Sequence, residues 1–224
     1  MLERYIRNLP TLTAQEQQSL AEKHVLILGC GGLGGYLCEY MVRLGVGEIT
    51  AADPDCFEES NLNRQLLSST ETLGQSKALT AKARAEAINP AVRFHAAEAA
   101  FCAENADTLL AGKDLVLDAL DSAADRLLLE DACARAGLTL VHGAVHGWTA
   151  QVAVVPPGNG LLHRLYGAAE AADPDKSCLV FTPALCAALQ AAEAAKLLAE
   201  RPSALSGQLL MADLQTMDTL IITP

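Results

Sequence analysis

Residues 24–28, His-Val-Leu-Ile-Leu, are apolar at consecutive positions and end at a glycine, which predicts a short strand buried on both faces. Residues 48–52, 92–97, 114–119 and 138–142 repeat the pattern of a brief apolar run bounded by turn residues, and 208–212 and 219–223 read as late strands. Between these runs lie segments read as helices. Helices are predicted over 12–22, capped by Thr11 or Thr13, over 34–44, and over the alanine- and lysine-rich stretch 76–88, which stops at Asn89-Pro90. Two more are predicted, over 123–136 up to Gly137 and over 183–200. Strands alternating with helices predict an α/β, Rossmann-like fold. Its central sheet is mostly parallel with helices on both faces, and the C-terminal part adds antiparallel strands. The Pro-, Gly-, Ala- and Asp-rich stretch 156–177 is expected to be a mobile loop inside a single domain spanning 1–224.

Composition narrows the function classes. At 224 residues the chain can bury one substantial core. Although 51% of residues are hydrophobic, no apolar run of eighteen or more lacks a charge, so no membrane span is expected. The first ten residues hold Glu3, Arg4 and Arg7 with no apolar stretch behind them, so no secretory signal is expected and the protein is read as cytoplasmic. A formal net charge of −11 disfavours nonspecific nucleic-acid binding. Seven cysteines with no CxxC pair argue against a disulfide framework and against a tetrahedral zinc site.

The candidate chemistry sits after the first strand. Gly29-Cys-Gly31-Gly32-Leu-Gly34 joins a predicted strand to a predicted helix, where glycines permit a tight turn and close approach of backbone to phosphate. Asp53 ends the second strand, where a carboxylate can accept from ribose hydroxyls. An ordinary dinucleotide-binding domain accounts for the glycines and Asp53 equally well. It has no use for Asn61-Leu-Asn-Arg64-Gln65, whose arginine suits charge building on phosphates. Gly74-Gln-Ser-Lys77 places a lysine at a helix start, suited to a phosphate. Asp118-Ala-Leu-Asp121 closes a buried strand facing the same crevice; Asp121 is the expected Mg2+ ligand, and either acid could instead cap the helix containing Arg126.

Taken in this order, GCGGLG, NLNRQ, GQSK and LVLDALD followed by Arg126 resemble the bacterial ubiquitin-activating-like enzymes, the ThiF, MoeB and HesA family, over nearly the whole chain. The resemblance implies an ATP-dependent adenylyltransferase. The glycine loop would pack against ATP, Asp53 would bind ribose, Asn61, Arg64 and Lys77 would contact phosphates, and Asp121 would hold Mg2+. It implies a ubiquitin-like sulfur-carrier protein ending in Gly-Gly as partner, with a sulfur donor protein as a further one. The Arg4-Tyr-Ile-Arg7 segment is similar to the family's RYxRQ, so Arg7 is a candidate finger supplied in trans within a homodimer, with Asn8 in place of the usual glutamine. Cys178 falls where the family places a cysteine over the adenylate; a covalent role and an incidental thiol both stay open. Cys186 is read as core, and His142 and His146 as structural or pocket-lining.

The chain departs from the family at its zinc motif. Where relatives carry a first CxxC pair, this chain reads Asn159-Gly-Leu-Leu-His-Arg164, so no zinc is expected. Activation of another acceptor, such as an RNA-bound or small-molecule carboxylate, and a non-catalytic nucleotide- or carrier-binding role are the alternatives.

Overall fold

The computed structural model describes residues 3–167 and 177–224. Five strands run parallel in the order β3 (Arg93–Ala97), β2 (Glu48–Ala52), β1 (His24–Leu28), β4 (Leu115–Asp118) and β5 (Leu140–His146). Three antiparallel strands extend the sheet from β5: β6 (Thr149–Val155), β7 (Leu209–Asp213) and β8 (Asp218–Ile222). The eight-stranded mixed sheet is the expected architecture. Because β1 pairs with β2 on one side and with β4 on the other, the strand order reverses there, the point at which open α/β sheets place a ligand crevice beyond the carboxyl ends of the strands.

Alternate residues of the parallel strands feed two cores. Val25, Ile27, Ile49, Leu117 and Val141 face α2 (Gly34–Leu44), α3 (Lys77–Ile88) and α7 (Phe181–Leu198). Leu26, Leu28, Val116 and Leu140 face α4 (Ala106–Leu110), α5 (Ala123–Ala136) and α6 (Leu161–Tyr166). Both faces are covered, which is why β1 and β4 read as unbroken apolar runs.

Local chemistry sets the helix ends. α1 (Ala14–Leu20) starts later than predicted because Thr13, not Thr11, accepts from the Glu16 amide while the Glu16 carboxylate accepts from the Thr13 amide. Ser76 caps α3 and Ser122 caps α5, so neither Asp118 nor Asp121 has the capping role left open for them. α2 and α5 stop at Gly45 and Gly137, both left-handed.

One expectation needs correction, and one strand was not predicted. The stretch 156–177 is not all irregular: α6 lies within it, on the apolar Leu161 and Leu162 that bury against α5. Residues 168–176 of that expected mobile loop lie outside the described residues. β6 was hidden in sequence because Thr149–Val155 follows β5 across a turn at Gly147 and Trp148 whose signal is a lone glycine. No helix among the described residues is long and apolar enough to cross a membrane.

Candidate active site

The glycine turn is shaped by contacts to its neighbours. Gly29 adopts φ +96°, which side-chain-bearing residues rarely do, and its amide donates to the Ala52 carbonyl at 2.8 Å. A Cβ on Gly34 would lie 1.7 Å from the Gly29 carbonyl oxygen, so the turn folds back on the first residue of α2. Ala119 donates to the Leu28 carbonyl at 2.9 Å, bringing the loop after β4 alongside the turn.

Asp53 closes the turn from the β2 side. Its Oδ2 accepts from the Cys30 amide at 2.6 Å and its Oδ1 from the Asp55 amide at 2.8 Å. The side chain is buried, yet an ionised carboxylate has further lone pairs for hydroxyl donors.

The cationic groups reach the same place from a second stretch. The absent side chains of Gly31 and Gly32 leave space bordered by Gln65, Arg64 and Pro183: a Cβ on Gly31 would lie 3.5 Å from Gln65 Nε2, and one on Gly32 would lie 3.6 Å from Arg64 Cγ. Gln65 is buried, and its Oε1 has no partner among the described residues. Arg64 donates from Nη1 to the Ser60 carbonyl at 3.0 Å and to Asn63 Oδ1 at 2.9 Å. Lys77 is buried, with Nζ 2.9 Å from Asp55 Oδ2, a carboxylate that is itself mostly exposed. Asn61 is buried and works first as a brace: its Oδ1 accepts from the Glu58 amide at 3.0 Å, fixing the short 3-10 turn that aims Arg64.

Asp121 lies beyond the carboxyl end of β4 and is exposed. Asp118 is fully buried at the end of that strand. Cys178 is half-buried beside this region: its carbonyl accepts from Asn63 Nδ2 at 3.4 Å, and it forms a short parallel bridge with Gly147. Burial pushes its thiol up, with the Arg64 charge pulling the other way. Cys186 is core, as expected, and His142 is buried.

Arg7 is placed differently from the rest. It is exposed on the 3-10 turn Glu3–Asn8, whose Tyr5 ring packs onto Gly45 at the far end of α2. Eleven helical residues separate that end from the glycine turn, about 16 Å at 1.5 Å per residue, so Arg7 is not brought to its own chain's crevice.

The residue types fit Mg-ATP. The cradle at Gly31 and Gly32 is one that a Cβ would partly fill, and an orphaned Gln65 carbonyl borders it. Among the described residues no group of three or more His, Cys, Asp or Glu side chains could hold a metal by itself. Mg2+ commonly needs only one or two carboxylates when phosphate oxygens and water complete its shell, which Asp121 can satisfy.

Asp55, Asn63 and Pro183 are site neighbours that sequence reasoning passed over. Asp55 stood two residues after Asp53 in an acidic run, a spacing that signals a second carboxylate at the same strand end.

The model of the ThiF family matches residues 2–223. The chain belongs to the ThiF family. This ThiF-family protein is 34% identical over 223 residues to the SAMP-activating enzyme E1 of Haloferax volcanii, covering 96% of this chain and 83% of that one. It is 38% identical over 225 residues to the sulfur carrier protein adenylyltransferase of Thermus thermophilus, covering 95% and 83%. Among solved structures, E. coli MccB with AMPCPP and MccA superposes with a TM-score of 0.85 at 20% identity, over 99% of this chain and 71% of that one, a likeness of fold.

Proposed function

We propose that this ThiF-family protein is an ATP-dependent adenylyltransferase that activates the C-terminal glycine carboxylate of a ubiquitin-like sulfur-carrier protein ending in Gly-Gly. The pathway would be thiamine, molybdopterin or related sulfur transfer, and residues 1–224 form one adenylating domain. The observation that carries the reading is the shared cradle: Arg64 and Gln65 border the space over Gly31 and Gly32, while Asp53 holds the same turn from below. The printed names of the Haloferax and Thermus relatives support it.

In the proposed reaction a carrier carboxylate oxygen forms a bond to the α-phosphorus of ATP. The bond from that phosphorus to the bridging oxygen breaks, and pyrophosphate leaves with the electron pair. No general base is required, because a terminal carboxylate is already ionised at neutral pH. The protein's part is to orient and to neutralise charge. Asp53 accepts from the ribose, turn amides meet the phosphates, and Arg64 and Lys77 offset the charge that grows on the leaving group. Lys77 first gives up part of its contact with Asp55, whose exposure lets water take over that carboxylate. Mg2+ held by Asp121 would screen the phosphate oxygens.

The protein is proposed to work as a homodimer in the cytoplasm, with Arg7 reaching the partner's site and no zinc. Cys178 as a covalent acceptor of the carrier is a separable proposal, since adenylation does not need it. The deciding experiment is ATP–pyrophosphate exchange with candidate carriers. Exchange that appears only with one Gly-Gly-ended carrier supports the reading, and Mg-ATP binding without exchange for any carrier overturns it.

A further inference from the structure

Behind the loop that carries Asp121 lies a buried polar cluster that adenylation chemistry does not itself use. Asp118 Oδ1 accepts from the Leu120 amide at 2.8 Å, and Arg126 Nη2 donates to the Leu120 carbonyl at 2.6 Å. Both backbone groups of the residue preceding Asp121 are therefore clamped. Asp118 Oδ2 accepts from His142 Nδ1 at 2.6 Å, and His142 Nε2 meets the Tyr166 hydroxyl at 3.0 Å. The Arg126 guanidinium stacks over the Tyr166 ring, 5.4 Å from its centre. Gln190 Nε2 donates to the Asp118 carbonyl at 2.8 Å, tying α7 into the cluster.

The cluster is expensive unless it has a use. Asp118 and His142 are fully buried, and Arg126 Nε and Gln190 Oε1 have no hydrogen-bond partner among the described residues, Arg126 Nε lying 3.7 Å from Asp118 Oδ2 as an ion pair. An apolar set of similar volume would hold the sheet as well. Only a polar set can fix the directions of the two peptide units that flank Leu120, because that takes an acceptor for one and a donor for the other.

We propose that Asp118, His142 and Tyr166 form a positioning relay that holds the Asp121 loop so that its carboxylate faces the metal of a bound Mg-nucleotide. This rests on the reading that Asp121 takes Mg2+. The protonation pattern follows from the partners. Burial lowers the pKa of His142 against the opposing pull of the Asp118 carboxylate, which favours the neutral ring at neutral pH. Its Nδ1–H donates to Asp118, and its Nε2 accepts from the Tyr166 hydroxyl. The groups facing the ring are Asp118 from β4, Arg126 and Glu130 from α5, and Tyr166 from α6, with Cys186 of α7 beside Tyr166. Asp118 thus keeps Oδ1 for Leu120 because His142 occupies Oδ2, and Tyr166 keeps His142 in that tautomer. Metal ligands depend on their hydrogen-bonded supports in this way, and losing a support costs about 10- to 100-fold in metal affinity.

The test measures binding of the α,β-methylene analogue of ATP by titration calorimetry, with Mg2+ and with EDTA, for wild type, Asp118→Asn and Tyr166→Phe. The ratio of the two affinities is the gain due to Mg2+. The expected result is a gain that falls about tenfold in Asp118→Asn and less in Tyr166→Phe, while affinity in EDTA stays near wild type. Long-range nitrogen–proton NMR of His142 should show the Nδ1–H tautomer in wild type and a switch to Nε2–H in Asp118→Asn. A general loosening of the fold would lower both affinities together and overturn the proposal. An unchanged gain in Tyr166→Phe with His142 already in the Nε2–H form would overturn it too. Should Asp118→Asn not fold, Tyr166→Phe decides, since it removes one hydroxyl and little volume. If the gain collapses in the variants while no carrier elicits exchange, the relay stands and carrier activation falls.

Discussion

Two glycines of the nucleotide turn, two residues apart, should respond to alanine in opposite ways. At Gly34 the new methyl would sit 1.7 Å from the Gly29 carbonyl oxygen and 2.6 Å from its carbon. That oxygen would have to retreat by about 1.7 Å to reach ordinary contact, and it is backbone, pinned where the Gly29 amide bonds to Ala52. Overpacking typically costs about 1–3 kcal/mol, and a rigid backbone neighbour places Gly34→Ala at or above the upper end. At Gly32 the nearest atoms would be Arg64 Cγ at 3.6 Å and Pro183 Cβ at 3.8 Å, both comfortable contacts, so folding stability should change by no more than about 0.5 kcal/mol. The methyl would instead occupy space that phosphate needs. Displacing one charge-assisted hydrogen bond costs about 1.5–3 kcal/mol, or roughly 10- to 150-fold in Kd. Urea unfolding and calorimetric ATP titration, run on both variants, separate the two effects. Wild-type stability in Gly34→Ala, or wild-type ATP affinity in Gly32→Ala, would refute the account of the turn.

Other expectations follow from the site. Arg64→Ala and Asp121→Ala should each abolish carrier-dependent exchange while keeping cooperative unfolding, because neither side chain is core; near-normal exchange in Asp121→Ala would move the metal elsewhere. If Arg7 acts across a two-fold dimer, mixing inactive Arg7→Ala and Arg64→Ala protomers should restore about a quarter of wild-type activity, since half the dimers are mixed and each has one complete site. Stability should fall with acid below about pH 6.5: burial lowers the folded pKa of His142 and His24 from 6.5, so the unfolded chain binds protons that the folded chain refuses. Urea midpoints at pH 7.5, 6.5 and 5.5 check the sign, and His142→Gln should flatten the slope. The Cys178 thiol, raised by burial, should react with iodoacetamide more slowly at pH 7.5 than exposed Cys56, as peptide mapping would reveal. In Cys178→Ala, sulfur transfer lost with exchange intact supports a covalent role, and retention of both ends it.

The parallel half of the sheet was legible because double burial writes itself into consecutive apolar positions, as in His24–Leu28. Ala123–Ala136 was legible to the residue because Ser122 and Gly137 mark its ends chemically. The site residues were legible where spacing alone brings them together, as with Gly29 and Asp53 at adjacent strand ends. What stayed hidden depended on tertiary partners. Lys77 reads as a phosphate ligand, yet its distance to Asp55 is set by α3 docking under β2. Asp118 reads as a possible helix cap, and only the approach of β5, α5 and α6 makes it the hub of a hydrogen-bonded cluster. β8 carries Leu220, Ile221 and Ile222 without burying them, so its apolar sequence announced a strand but not its exposure.

The double grip of Asp53 has a thermodynamic consequence. Because its two oxygens already hold the Cys30 and Asp55 amides, the turn needs no guest to take its shape. Binding then forfeits little chain freedom, and contact energy passes to affinity with small entropic loss. Replacing that acid would therefore harm recognition twice, by deleting a sugar acceptor and by turning a stiff receptor into one that must be ordered at each encounter.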